Sequence, residues 1–388
     1  MIKPKDAVSW TLLFFCAAAP VSIAGLNLAA GALTAALLWA WFAGAGAPWR
    51  AAKNPLVYAL IAYVAVAAIC SAFGVAPETS FAMLYKDLHK LWLLALLLVA
   101  LSWTRPKRAY AALGLGLVLI SVVGIGQVLF LRTGDLVYSE VRARGFVHPV
   151  TFGEIVALLW LGGLCLRLKR EGTGLSREGL SLVLGVAGLA FLLNQTRGAF
   201  LGLAAGLLAV ALADRRLRKL AAVVALACPL LLIVWEMLPT GHTFLQMIVR
   251  MHDPGPNPYL ERLTLWKVGF QIFRDQPFLG VGPGNYRTVY PQYFHGVSDN
   301  ENAWGSAHDL YIHQAAERGL LGLAALAAVL WTMTARAAAR ARRTPDAARL
   351  WALGACVAFL VMNLTEVAFQ NEQATSLLLF IWAWAETA

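Results

Sequence analysis

The sequence is poor in charge. Only 14% of its 388 residues are charged, against about 25% in an ordinary soluble domain, and 60% are hydrophobic. This balance excludes a soluble globular protein and predicts an integral membrane protein. The formal net charge of +11 does not indicate nucleic-acid binding, because no basic stripe alternates with exposed aromatic residues along the chain.

Cysteine is also scarce. The five cysteines, Cys16, Cys70, Cys165, Cys228 and Cys356, all lie inside apolar runs, and no two of them form a CxxC pair. The sequence therefore indicates neither a disulfide framework nor a zinc site. Packing within an apolar interior is the role that we expect for all five.

Long apolar runs recur from Ala7 to Trp384. With spans of about 17 to 25 residues, they predict twelve transmembrane helices, at 7–24, 27–46, 55–73, 87–103, 109–131, 150–167, 178–195, 198–213, 219–238, 308–335, 348–366 and 371–386. The first run is interpreted as a span because it continues to Ala45 without a clear cleavage site. The polar block 239–307 is predicted to be one large loop, so residues 1–388 form a single all-α polytopic domain.

The distribution of basic residues predicts the orientation. With both termini in the cytoplasm, roughly two thirds of the 32 Lys and Arg residues fall on the inner side, as the positive-inside rule requires. The segments with unusual polar residues, 132–154, 194–197, 239–309 and 366–373, then all emerge on the opposite face. We therefore expect the functional site on the non-cytoplasmic side.

Arginine is prominent in these outer segments. Arg142 and Arg144 precede the sixth span, and Glu154 lies about one turn inside it. A solvated loop is the alternative interpretation for Arg142. Arg197 stands in the very short connection QTRGA, and an arginine at membrane depth usually faces a polar cavity or an anion. Its alternative is to extend toward the lipid headgroups.

The large loop contains a helical pattern followed by a glycine-rich turn. Apolar residues between Tyr259 and Phe273 repeat at helical spacing, which predicts an amphipathic helix at the outer interface with Arg262 at its start. The turn PFLGVGPG follows, where Gly282 and Gly284 would let backbone amides approach a ligand closely. By itself this turn is a weak signal, but nearby arginines favour an anionic ligand.

The segment WGSAHDLYIHQAAERGLLGL precedes and enters the tenth span. Ser306 and Asp309 match a capping box, with the serine as N-cap and the acid at the third helical position. This places His308 in the first turn, where unpaired N–H groups favour the neutral imidazole that a general base requires. Its helix face continues through Tyr311.

A second polar pattern lies on the same helix. Asp309, His313 and Glu317 follow one another at i, i+4 spacing, so they share one face. A structural role, in which these side chains satisfy one another, is the favoured interpretation for His313 and Glu317. His308 lies outside this ladder and remains the main catalytic candidate.

These residues, in this order, resemble the O-antigen ligase family of integral membrane glycosyltransferases. The most specific pattern of that family is a histidine, then Asn, Ser or Gln, nine residues, Gly, two residues and Gly, Thr or Tyr. Here His308 is followed by Asp309, nine residues, Gly319, two residues and Gly322. Asp309 departs from the pattern. Arg197 in the outer turn, and Arg262 before PFLGVGPG, match the other recurrent features.

The resemblance implies a bacterial inner-membrane enzyme with its active site on the periplasmic side. It would transfer O-antigen from undecaprenyl pyrophosphate to the lipid A-core acceptor, among membrane lipids and with inversion. His308 would be the catalytic base, and the pyrophosphate would bind to Arg197, Arg262, Arg144 and Arg142. Additional site candidates are His313, Glu154, Gly282, Gly284 and Tyr311. The reaction is expected to need no metal and no cofactor, consistent with the lack of a DxD motif.

Three alternatives share part of this pattern. An O-antigen polymerase would use the same donor with a second lipid-linked glycan as acceptor, and a protein O-oligosaccharyltransferase would modify a serine or threonine. A transporter or lipid flippase would also have about twelve spans. Transporters tend to carry polar residues near the bilayer midplane and internal repeats, whereas here the polar residues collect at one face and no repeat is apparent.

Overall fold

A computed structural model describes residues 3–106, 108–130, 142–171, 175–214, 258–294 and 304–388, with a few single positions between 216 and 230. These ranges contain helices and no strand. The helices are α1 (Pro4–Ala18), α2 (Ile23–Phe42), α3 (Pro55–Ala72), α4 (Pro77–Trp103), α5 (Ala109–Phe130), α6 (Pro149–Lys169), α7 (Arg177–Asn194), α8 (Arg197–Ala213), α9 (Pro258–Asp275), α10 (Tyr286–Tyr293), α11 (Leu310–Arg343), α12 (Ala347–Met362) and α13 (Glu372–Glu386).

The structure confirms an all-α membrane protein. Within the described ranges, six helices are long and apolar enough to cross a membrane, namely α2, α3, α5, α6, α7 and α11, and α8 and α12 are shorter apolar helices. Each predicted span overlaps a helix except the ninth, 219–238, which lies largely outside the described residues. The number of spans, the orientation and the periplasmic position of loop 239–307 remain predictions.

Helix α4 begins at Pro77 and so extends the predicted span 87–103 toward the N-terminus. The apolar run is interrupted by Asp87 and Lys90, which a hydropathy pattern places at the end of a span. Both are buried in the structure, and Asp87 accepts from Lys90 Nζ at 2.9 Å and from Arg318 Nη2 at 2.8 Å. Buried charges are tolerated when they are paired, so the cation from α11 allows α4 to continue.

Helix α11 is broken at Gly319, where φ is 60° and ψ is −161°. A break leaves backbone groups without helical partners. Residues 277–284, which we call the docking turn, supply those partners. The bonds run from Leu320 N to Pro277 O (2.8 Å), Leu321 N to Phe278 O (3.2 Å), Val281 N to Ala316 O (3.0 Å) and Gly282 N to Glu317 O (2.8 Å).

Replacing Gly319 with alanine is expected to destabilise the protein strongly. Its backbone conformation is nearly restricted to glycine, and an added Cβ would overlap the carbonyl group of Phe278. We expect a loss of about 3 kcal/mol or more, measured as a lower thermal unfolding temperature of the purified protein. Gly185→Ala in α7 is the control, because nothing lies within 4 Å of its Cβ position. Equal unfolding temperatures for the two variants would contradict this account of the break.

The predicted loop helix is present as α9. Leu265, Val268 and Ile272 are buried on one face, whereas Leu263 and Phe270 are 50% and 57% exposed on the other. The helix is therefore apolar on its inner side and also exposes apolar residues outward. Its predicted position at the outer membrane interface is compatible with this exposure.

Close packing of α8 against α12 positions the start of α8. Cβ atoms at Gly202 and Gly206 would lie only 2.8 and 2.6 Å from the carbonyl oxygens of Ala358 and Gly354, so glycine permits the contact. At the end of this interface, Gly198 lies against Thr365. The turn that carries Arg197 is thereby held beside the connection that follows α12.

Candidate active site

His308 lies immediately before α11 in an unusual backbone conformation. Its φ is +50°, in the left-handed region, which costs most residues on the order of 1 to 2 kcal/mol. Such outliers concentrate at functional sites. The ring makes an edge contact with Trp304 at a centroid distance of 5.4 Å, and the side chain is 28% exposed.

The predicted capping box is wrong. Asp309 is itself the N-cap of α11, and its Oδ1 accepts from Ile312 N at 2.9 Å. Leu310 N donates to Asn363 O at 2.9 Å, which anchors the start of the helix to the end of α12. His308 therefore lies outside the helix, and the argument from the first helical turn does not apply to it.

Glu366 is the partner of His308 and was missed by the sequence analysis. His308 Nδ1 lies 3.2 Å from Glu366 Oε2, and Arg262 Nη2 donates to Glu366 Oε1 at 2.8 Å. Arg262 Nη1 also donates to Thr365 O at 2.8 Å. One carboxylate thus joins the predicted base to a predicted pyrophosphate-binding arginine. The only sequence signal for Glu366 was its position as an acidic residue in an outer segment, on the face where several arginines were also predicted.

The charge state of Glu366 follows from these contacts. Burial by itself raises the pKa of this carboxyl group, but the hydrogen bond with His308 and the positive charge of Arg262 outweigh burial and hold the pKa below its usual range. Glu366 is therefore a carboxylate at neutral pH. A carboxylate at Nδ1 favours the tautomer with its proton on Nδ1, which leaves Nε2 as the proton acceptor.

Arg142 contacts the turn between α7 and α8, where Arg197 begins α8. Arg197 is the first residue of α8, with an exposed side chain, and it is adjacent to the Gly198 contact with Thr365. Arg142 donates to Asn194 O at 2.9 Å and to Thr196 Oγ1 at 3.3 Å. These bonds give Arg142 a role in holding the turn that presents Arg197.

Arg144 and His148 lie on the approach to α6. Gln127 Oε1 accepts from the backbone N of Arg144 at 3.3 Å, and His148 is the N-cap of α6. Burial lowers the pKa of His148. The negative charge of Glu366 raises this pKa, whereas the positive charges of Arg142, His308 and Arg144 lower it further. His148 therefore lies within electrostatic range of the His308 and Glu366 pair.

Two of the additional candidates, His313 and Tyr311, have defined contacts. His313 Nε2 lies 3.4 Å from Glu317 Oε2, as the i, i+4 pattern predicts, and Tyr286 N donates to Glu317 Oε1 at 3.2 Å. The Tyr311 hydroxyl donates to Leu360 O at 3.0 Å. These contacts are structural, because they connect α11 to α10 and α12.

Glu154 differs from these candidates. It is 2% exposed in α6, and neither carboxyl oxygen has a hydrogen-bond partner within the described ranges. It interacts electrostatically with Glu366. The structure thus brings Glu154 near the site without giving it a direct contact there.

The glycines of the docking turn, Gly282 and Gly284, pack closely against α4, and their predicted approach to a ligand stays a prediction. The φ angles of Gly282 and Gly284 are +94° and +78°, and added Cβ atoms would lie 2.5 Å from Ser80 Oγ and 2.7 Å from Met83 Cγ. The Gly282 amide already donates to Glu317 O. Glycine is needed here because the turn packs tightly against the start of α4.

Within the part of the chain that the structure describes, no three His, Cys, Asp or Glu side chains come together as a metal site. The charged centre contains the His308 imidazole, the Glu366 carboxylate and the Arg262 guanidinium group. This arrangement can accept a proton at His308 Nε2 and can stabilise negative charge beside Arg262.

Comparison with known families agrees with this geometry. Residues 180–327 match the family model described as O-antigen ligase. The matched segment runs from α7 into α11 and contains Arg197, Arg262, the docking turn and His308. Glu366 lies beyond it. No curated protein matches the chain.

Proposed function

We propose that this protein, which belongs through residues 180–327 to the O-antigen ligase family, transfers O-antigen polysaccharide from undecaprenyl pyrophosphate to the lipid A-core. Family membership makes it a glycosyltransferase-like enzyme of the ligase and polymerase group, with lipid-linked glycan substrates. The proposal adds the ligase reaction, metal independence, inversion, and an active site on the periplasmic face of the bacterial inner membrane.

The His308 and Glu366 pair is the observation that carries this proposal. With Nδ1–H donating to Glu366, Nε2 accepts the proton of the acceptor hydroxyl. The acceptor oxygen then bonds to the anomeric carbon while the bond from that carbon to the pyrophosphate breaks. The electron pair of the broken bond stays with the pyrophosphate oxygen. Attack opposite the leaving group inverts the anomeric centre.

The arginines act on the leaving group. Arg262 bonds to Thr365 and Glu366, and the start of α8, which carries Arg197, packs against Thr365. Both arginines are therefore available to neutralise the charge that grows on the pyrophosphate. Arg142 holds the Arg197 turn through Asn194 and Thr196. Arg144, two residues after Arg142 in the same outer segment, adds positive charge near His148.

Replacing Arg197 with alanine should lower turnover by about 10²- to 10³-fold, because one preorganised donor to a developing anion contributes that much. The measurement is ligation in membranes supplied with lipid-linked donor. Arg274→Ala is the matched control, since its side chain is 80% exposed on α9. Full ligation by the Arg197 variant would contradict the proposed role.

The ligase reaction itself is tested by deleting the gene and separating lipopolysaccharide on a gel. Core lipid without attached polymer supports a ligase. Core that carries a single repeat unit indicates the polymerase reaction, and a loss restricted to glycosylated protein indicates the protein oligosaccharyltransferase. Unchanged lipopolysaccharide and glycoprotein would contradict the whole proposal.

A further inference from the structure

A cavity of about 900 Å³ opens beside the candidate active site. Its wall includes Tyr85 and Lys86 of α4, Arg144 and Phe146 before α6, and Gln370 and Gln373 around the start of α13. Neither Arg197 nor Arg262 is part of this wall. The cavity is large enough for a sugar-sized ligand, since ligand pockets usually measure about 300 to 1,000 Å³.

The cavity wall is suited to binding a negatively charged ligand group. Lys86 and Arg144 contribute two cations to it. The N-cap residues of three helices, Ser22 of α2, His148 of α6 and Asn371 of α13, also line it. Helix N-termini carry partial positive charge. These groups reinforce one another around a single space, so an anionic group of the ligand is favoured there.

Other groups in the wall favour a ligand with hydroxyl donors and apolar ring faces. Gln373 is fully buried, its Nε2 donates to Ala19 O at 2.8 Å, and its Oε1 has no partner among the described residues. Glu372 adds a carboxylate to the wall. Phe146 and Tyr85 are 59% and 56% exposed, which provides aromatic surface for packing. A sugar with an acidic substituent combines these three requirements.

Two residues connect the cavity to the reacting groups. His148 lines it, and the carbonyl of the adjacent Pro149 accepts from Asn194 Nδ2 at 2.8 Å and from Thr196 Oγ1 at 3.4 Å, in the turn that carries Arg197. Gln370 lines it and follows Glu366, the partner of His308, in the connection between α12 and α13. A ligand in the cavity therefore lies beside the segments that carry Arg197 and Glu366. Arg197 and Arg262, which are assigned to the leaving pyrophosphate, lie outside the wall, and this leaves the space around Arg144 for the other substrate.

We propose that this cavity binds the acceptor, a glycan that carries at least one phosphate or carboxylate group. The proposal rests on the proposed function, because it assigns the second substrate of that reaction. Lys86 and Arg144 bind the anionic group, Phe146 and Tyr85 pack on the sugar rings, and Gln373 accepts from a sugar hydroxyl.

The test uses the full-length protein with the double substitution Lys86→Gln and Phe146→Ala. Transfer rates are measured while either the lipid A-core acceptor or the lipid-linked donor is varied. The KM for the acceptor should rise about tenfold or more, whereas kcat and the KM for the donor stay within twofold. With a dephosphorylated acceptor, the KM values of the variant and of the unmodified protein should differ less than they do with the phosphorylated acceptor.

The matched control is Lys267→Gln with Phe270→Ala on α9, where Phe270 is 57% exposed. Its kinetic constants should equal those of the unmodified protein. A raised KM for the donor with an unchanged KM for the acceptor would assign the cavity to the donor and overturn the proposal. Unchanged constants for both substrates would also overturn it.

Direct binding separates this proposal from the proposed function. Binding of lipid A-core to the purified protein is measured without donor. If the unmodified protein transfers nothing, the proposed function fails. Even in that case, weaker acceptor binding by the double variant supports a glycan site in the cavity. Equal binding by both proteins overturns the cavity proposal.

Discussion

His308→Asn is expected to lower the transfer rate by about three to four orders of magnitude, because it removes the base that deprotonates the acceptor. Asparagine is the appropriate replacement. The backbone φ at this position is +50°, and asparagine tolerates the left-handed region almost as well as any residue except glycine. The substitution therefore removes the imidazole and preserves the turn. The measurement is kcat at saturating concentrations of both substrates.

A folding measurement serves as the control for the His308→Asn variant. Its thermal unfolding temperature should stay close to that of the unmodified protein, and His308→Gly should be equally inactive. An asparagine variant that keeps more than a tenth of the activity would show that another group takes the proton.

Glu366→Gln is expected to lower the rate by about 10²- to 10⁴-fold, since a carboxylate that orients a catalytic imidazole contributes this much in related arrangements. Glutamine keeps the shape of the side chain, but it removes the negative charge that stabilises the imidazolium. It also leaves Arg262 without its ionic partner. The matched control is Glu78→Gln, an exposed carboxyl group at the start of α4.

The double variant distinguishes positioning from simple stability. If Glu366 acts through His308, the combined His308→Asn and Glu366→Gln protein should be no slower than His308→Asn alone, because residues that act as a unit are not additive. Additive losses would assign Glu366 a separate role.

Acidification gives a second readout for Glu366. Its pKa is lower in the folded protein than its ordinary value. Its contribution to stability is therefore fully present above the ordinary pKa and is lost as the pH falls through the folded pKa. The difference in unfolding temperature between the unmodified protein and Glu366→Gln should be constant near neutral pH and should shrink in strong acid. A difference that grows on acidification would contradict this ion pair.

Much of the architecture was predictable from local patterns. Apolar runs located the helices because a span depends on the residues within it, and the spacing from His308 to Gly319 and Gly322 marked the segment that breaks α11. Local patterns were less reliable at helix ends. Ser306 and Asp309 could both cap α11 by sequence, and in the structure Asp309 is the N-cap, with Oδ1 accepting from Ile312 N.

The sequence by itself determined that this is an all-α membrane protein, and it predicted His308, Arg197 and Arg262 as site residues. Only the tertiary structure decided that Glu366 joins two of them, and that Arg318 neutralises Asp87 inside α4. These pairs are separated by 58, 104 and 231 positions along the chain. Residues so far apart leave no periodic signal, because packing of distant helices alone brings them into contact.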